Sequence, residues 1–425
     1  MALDDIAISR IRQGFPALAR TIHGKPILYF DSPGGSQIHG SVLESMKNYL
    51  ITSNSNAHGA FSASIQTDEM TYNAREIFAD FLNAGRPEEI VFGPNMTTLT
   101  FRISQAIGQT LQPDDEIIVT KLDHDANIAP WLALRNLGAI VRFVDFDPRD
   151  CMLHIADFER FLNPRTKVVA LGYASNSVGS INEVKTITRM AKEVGSMVYI
   201  DAVHFAPHGP IDVNEIGCDF LVCSAYKFFG PHLGVLYGRH DLLKALPATK
   251  VVPAGNEPPD KFETGTNNFE GICGASAAVE YLCAIGEQFG NDYKAQFSNL
   301  NGRRQTLKTA MAAIRSYESK LCQKLLSSLS EIPGIHLYGS TETGKASQRV
   351  PTVSFTIDGL APSEIARQLD SKNIFVWDGH FYAIQAVERL GLLDKGGLVR
   401  VGLCHYNTQQ EVEQLAESLL EIARI

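Results

Sequence analysis

At 425 residues the chain is too long for one ordinary core, so two domains are expected. With 44% hydrophobic and 20% charged residues it has the balance of a globular protein in water. A net charge of −9 without any long basic run argues against nucleic acid and anionic membrane as partners.

The first residues, "MALDDIAISRIRQGF", carry acids early and lack an apolar signal core, so no export signal is expected there. No apolar run approaches the ~20 residues of a membrane helix. Seven cysteines (151, 218, 223, 273, 283, 322 and 404) are scattered, odd in number and without a CxxC pair. They point to a reducing cytoplasm, with no disulfide framework and no metal site. From about residue 88 to 240, short apolar runs alternate with helical patterns such as "NEVKTITRMAKEVG". The runs are "EIVFG", "EIIVTK", "AIVRFVDF", "KVVALGYAS", "SMVYIDAV", "FLVCSAYK" and "GVLYGR". This alternation predicts an α/β layer with a mainly parallel sheet. A helix-rich stretch follows at 299–332. Beyond it, "HLYGS", "TVSFTI", "NIFVWDG" and "LVRVGLCHYN", with helices in "APSEIARQLDS" and "TQQEVEQLAESLLEIAR", predict a smaller α+β C-terminal domain. Residues 26–295 are assigned to the large domain, 1–25 and 296–425 to the small one.

Several strands end on a chemically capable side chain: His124, Asn176, Asp201 with His204 beyond it, and Ser224 with Lys227. In parallel sheets ligands sit beyond the carboxyl ends of the strands. Wet loops alone would explain any one of these residues, but an Asp, a Lys, an Asn and a His in apolar settings suggest one converging pocket. Lys227 stands between a tyrosine and two phenylalanines in "SAYKFFG". Alone, a lysine that snorkels to solvent outweighs a catalytic one. A buried lysine, however, tends to lose its proton and become a nucleophile for carbonyls. Pyridoxal phosphate (PLP) supplies an aldehyde for such an amine, a ring nitrogen for Asp201, a flat ring for His124 and a phosphate for a helix start. Asn95, Thr97 and Thr98 precede an amphipathic helix in "GPNMTTLTFRISQAIG", though helix capping by itself would also account for them.

With "NMTT", "DHDANIAPW", "ASNSVGSIN", "IDAVHFAPH", "SAYKFFGPHLGVLYG", "FETGTNNFEGI", "DGH" and "VRVGLCHYNT" in this order, the chain resembles the class V aminotransferase family over almost its full length. It is most similar to the cysteine desulfurase and selenocysteine lyase branch, near the isopenicillin N epimerase-like proteins. The resemblance implies fold type I, a seven-stranded mainly parallel sheet between helices, with Lys227 as covalent carrier of PLP. Asp201 would then face the ring nitrogen and His124 stack on the ring, with Asn176 and His204 near its 3′-oxygen. Asn95, Met96, Thr97, Ser224 and Tyr226 would lie around the cofactor and its phosphate. Thr266 would reach the cofactor of a neighbouring subunit, which implies a homodimer. Arg400 would grip the substrate carboxylate, with Ser32, His58, Trp377 and Tyr382 also at the substrate.

Three departures stand out. Tyr226 replaces the usual histidine and His204 the usual glutamine, and both still hydrogen-bond. In "VWDGHFYA" Tyr382 occupies the place of the mobile-loop cysteine, and a phenol cannot accept sulfur as a thiolate does. Cys404, four residues after Arg400, reads as a buried structural cysteine. The expectation is therefore a PLP-dependent enzyme acting on an amino acid, a C–S or C–Se lyase without a persulfide-forming cysteine. Transamination and epimerisation are the alternatives within the family, and a non-catalytic PLP-binding scaffold is the alternative outside it.

Overall fold

The computed structural model of the chain describes residues 3–341 and 348–424; the expected small-domain spans include a few residues outside this range. All seven apolar runs of the 88–240 region form strands: β1 (Ile90–Gly93), β2 (Glu116–Thr120), β3 (Ile140–Val144), β4 (Thr166–Gly172), β5 (Met197–Asp201), β6 (Phe220–Ser224) and β7 (Gly234–Gly238). They make one sheet in the order β1-β7-β6-β5-β4-β2-β3. Only β7 runs antiparallel, to β6 on one side and β1 on the other. Every residue of β1, β2, β5, β6 and β7 is buried or nearly so, the mark of a sheet covered on both faces.

Helix α1 (Met96–Gly108) begins where Asn95 Oδ1 accepts the Thr98 N–H at 2.8 Å. Asn95 alone is therefore the cap, and Thr97 and Thr98 lie in the first turn. Helix α2 (Phe269–Phe289) is long and apolar enough to cross a membrane by length and composition, which the apolar-run reading missed. Some 67% of its apolar window is buried inside the protein, as expected of a core helix. Helix α3 (Gly302–Ser330) runs about 43 Å at 1.5 Å per residue. Its Leu307, Ala310, Met311 and Ile314 join the core of the large sheet. Tyr317, Leu321, Leu325 and Leu329 join a second core. One helix thus feeds both cores, and the handover falls between Ile314 and Tyr317.

The second core lies under a four-stranded antiparallel sheet: β8 (Ile335–Tyr338), β9 (Thr352–Ile357), β10 (Trp377–Gly379) and β11 (Leu398–Gly402), ordered β8-β9-β11-β10. The run "NIFVWDG" is not one strand as expected. Ile374–Phe375 pairs in parallel with Leu28–Tyr29, and the chain then turns at Val376 to enter β10. This crossing ties the N-terminal segment to the small sheet. A further bridge from Asp31 to Gly402 carries Pro33 and Gly34 to the ends of the large-sheet strands. Strand β11 stops at Gly402, so Cys404 lies beyond it, fully buried.

Candidate active site

A cavity of about 990 Å³ opens where β2, β4, β5 and β6 end, roofed by β10, β11 and the loop after β10. Of the sequence-predicted residues, Asn95, Met96, Thr97, His124, Asn176, Asp201, His204, Ser224, Tyr226 and Lys227 line its floor and walls. Trp377, Tyr382 and Arg400 line its roof. Asp201 ends β5 and Ser224 ends β6, strands paired in parallel so that Asp201 stands opposite Val222. Lys227 follows one tight turn later and is buried. Its Nζ donates to the Pro33 carbonyl and lies 4.7 Å from the Tyr226 ring centroid. Burial and then the positive charge of Arg400 pull the Lys227 amine down to about 7. Burial raises Asp201 to about 6, against the Val203 N–H donated to Oδ1 at 2.9 Å and the charge of Lys227.

Beside Ser224 stands the start of α1. The Met96 N–H donates to Ser224 Oγ at 3.2 Å, so hydroxyl and helix N-terminus share one corner. Close approach is permitted by Gly234 of β7, where a Cβ would come within 2.5 Å of the Asn95 carbonyl carbon. A helix start with Thr97 and a serine hydroxyl is a fitting seat for phosphate. His124 accepts the Ala126 N–H on Nδ1 at 3.0 Å, which places its proton on Nε2. Burial, then Lys227, lowers it to about 4, so the ring is neutral at pH 7. Its face lies 5.6 Å from the Tyr382 ring at 22°. His204 is bonded through Nε2 to Thr352 Oγ1 at 2.9 Å, and burial holds it well below its ordinary range.

Asn176 departs in part from its expected role. Its Nδ2 donates to the Phe381 carbonyl at 2.9 Å, leaving Oδ1 buried and without a partner. Arg400 is buried on β11, directly across from Trp377 on β10. Nη1 donates to the Asn176 carbonyl at 2.8 Å, and Nε is buried without a partner. Burial lowers this guanidinium to about 9.

Three predicted residues lie outside the cavity. His58 is exposed and sits 3.1 Å from Asp68, because the left-handed turn at its backbone points it to solvent. Ser32 is buried, with its hydroxyl beside the Cys404 thiol and away from the cavity. Thr266 is exposed in the loop before α2. Asp31, Asp123 and Phe381 were missed by sequence reading. Asp123 lines the cavity fully buried, accepts the Gly172 N–H and is held well above its ordinary range by burial. Burial also raises Asp31, to about 6, and Arg400 and Lys227 act on it. Asp31 directly follows the apolar run "ILYF", whereas Asp123 lies three residues past the end of β2, behind a lysine. No cysteine lines the cavity among the described residues.

Residues 28–301 and 302–415 match the profile of the family described as aminotransferase class-V. The chain is 33% identical over 429 residues to an aminotransferase-like protein of Gibberella zeae, covering 99% of each. It is 31% identical over 436 residues to a cysteine desulfurase of Pectobacterium atrosepticum, covering 98% of each. Among solved structures it resembles an apo cysteine desulfurase from Thermococcus onnurineus NA1, with a TM-score of 0.85, 26% identity and 98% of each chain covered.

Proposed function

The chain belongs to the class V aminotransferase family of PLP-dependent enzymes, and from that premise we propose that it cleaves the Cβ–S or Cβ–Se bond of an amino acid. The carrying observation is the pairing of a buried, charge-depressed Lys227 with a buried, incompletely bonded Arg400 across one cavity. The residues present fit the cofactor. Ser224 and the N-terminus of α1 suit its phosphate, Asp201 its ring nitrogen, His124 its ring face and Lys227 its aldehyde. Bound, PLP supplies an aldehyde that captures amines and a ring that accepts an electron pair. Asp201 holds a proton on the ring nitrogen. Arg400 orients the substrate carboxylate through its free N–H edge. With the cofactor in place, the Lys227 amine would be positioned to take the proton from Cα of the bound amino acid. With Tyr382 in the loop and no cysteine lining the cavity, sulfur departs as a small molecule rather than onto the protein.

A panel of amino acids tests this reading. L-cysteine and L-selenocysteine should yield pyruvate and ammonia with sulfide or selenide, L-cystine should yield pyruvate and ammonia with thiocysteine, and L-alanine should give no elimination product. Conversion of the cofactor to its amine form without pyruvate would replace elimination by transamination, the second reading, which the similarity to the Gibberella zeae protein favours. Racemised substrate with neither product would indicate epimerisation. Absence of any response would leave a scaffold.

We further propose a homodimer in a reducing, cytoplasmic setting, which seven unpaired cysteines suit. Leu43, Leu50 and Ile51 on helix Gly40–Thr52 and Ile65 and Tyr72 on helix Ser62–Leu82 are exposed, as are Phe61, Val251 and Val252. The two helices adjoin through Tyr49 Oη and Thr67 Oγ1 at 3.1 Å. Exposed apolar side chains of this kind are what a second copy would cover. In that assembly the exposed Thr266 reaches the partner's cofactor phosphate. Sedimentation should give about twice 46.6 kDa. A monomer that still binds PLP tightly would refute the dimer and the Thr266 role together.

A further inference from the structure

Arg400, Asn176 and Phe381 close a circuit from three separate segments. Arg400 Nη1 donates to the Asn176 carbonyl, Asn176 Nδ2 donates to the Phe381 carbonyl, and the Phe381 ring lies 4.2 Å from the guanidinium carbon. Phe381 and Tyr382 both hold left-handed backbone, at φ of 52° and 57°, a conformation bulky residues rarely adopt. Hydrogen bonds from the opposite wall fix both carbonyls there, Phe381 to Asn176 and Tyr382 to the Asp125 N–H at 2.7 Å. The ring is thereby clamped against the face of the guanidinium, with 8% of Phe381 exposed.

The choice of an aromatic ring has a chemical consequence. A carboxylate in that place would bind Arg400 and cancel its charge. A π face supports a cation from one side without occupying its in-plane donors. Arg400 makes no carboxylate pair among the described residues, and its buried Nε is unpartnered. Asp31 is near enough to act on Arg400 electrostatically and has one buried oxygen without a partner. Without a roof, the guanidinium is free to swing toward it.

We propose that Phe381 is a positioning residue that selects substrates bearing an α-carboxylate, by clamping the face of Arg400 so that its N–H edge stays directed into the cavity and away from Asp31. This rests on the reading of Arg400 given above and adds to it the residue that keeps the fork available. It also gives the loop after β10 a task here: anchoring the recognition of one substrate group.

The test uses PLP-loaded protein and two probes, L-alanine and L-alaninamide, which share the reactive amine and differ in the carboxylate. Each is titrated at one pH while the visible spectrum of the cofactor is followed, and the ratio of their half-saturation concentrations is compared between variants. Wild type should favour alanine. In Phe381→Ala that preference should fall about tenfold through weaker binding of alanine, with alaninamide changed less than about twofold. Phe381→Tyr should restore the wild-type ratio. Phe381→Leu, which keeps the apolar bulk without the π face, should fall between. A ratio in Phe381→Ala within about twofold of wild type overturns the proposal. If the alanine variant fails to take up cofactor, the leucine variant decides by the same criterion. Failure of the underlying reading appears in wild type itself, as a response to neither probe or an equal response to both.

Discussion

Apoprotein carrying Lys227→Ala is expected to show no visible absorption band of covalently held cofactor when mixed with PLP, and its turnover should fall by about 10³-fold or more. The same amine predicts how wild type takes up the cofactor. An ordinary lysine titrates near 10.5 and offers roughly 0.03% neutral amine at pH 7. Burial and Arg400 bring Lys227 to about 7, where half is neutral. For a base whose value is lowered, the reactive neutral form grows as pH rises through that value. The loading rate followed by stopped-flow absorbance should therefore climb through about pH 7 and level off well below pH 10. A rate that keeps climbing through pH 9 to 10 would show that the amine is not depressed, and the central chemical claim would fail with it.

Asp201→Asn is expected to bind PLP and keep a visible band, yet to lose turnover by roughly 10²- to 10³-fold. An amide preserves the shape and can still accept the Val203 N–H through its oxygen. It cannot hold a proton on a ring nitrogen as a carboxylate does, so the electron pair released at Cα loses its destination. Steady-state turnover beside a spectrophotometric measure of cofactor occupancy separates the two effects. Full activity with full occupancy would show that another group faces the ring. Asp123 would be next to examine, since it lines the same floor and acts electrostatically on Asp201.

The large sheet was legible because each of its strands is a short apolar run bounded by helical or turn patterns, and all seven appear where those runs lie. Lys227, Asp201, His124 and Ser224 were legible for a related reason. In such a sheet the polar residue that ends a buried strand has few places to go except the common crevice. What escaped depends on contacts that no local pattern encodes. "NIFVWDG" looks like one strand, but its halves pair with partners more than 300 residues apart in sequence, Leu28–Tyr29 and β11. His58 has the residue type of a ligand but is turned outward to Asp68 by its own backbone. Asn176 lines the common cavity, while the use of its amide depended on a carbonyl 205 residues away. The contact of Phe381 with Arg400 was invisible because nothing in the sequence around it shows that a guanidinium lies under its ring.

Strand β7 sets the order in which this molecule can assemble. It enters the sheet between β1 and β6, so β1 has no sheet partner until chain roughly 140 residues further on has been made. The corner formed by Asn95, Met96 and Ser224 depends on that insertion, since Gly234 is the residue that lets the segments meet. A chain extended only as far as Lys227, in the turn after β6, has the amine but no finished seat for an anion. The corner between β6 and α1 is therefore complete only once the most distant pairing in the large sheet, β1 with β7, has closed.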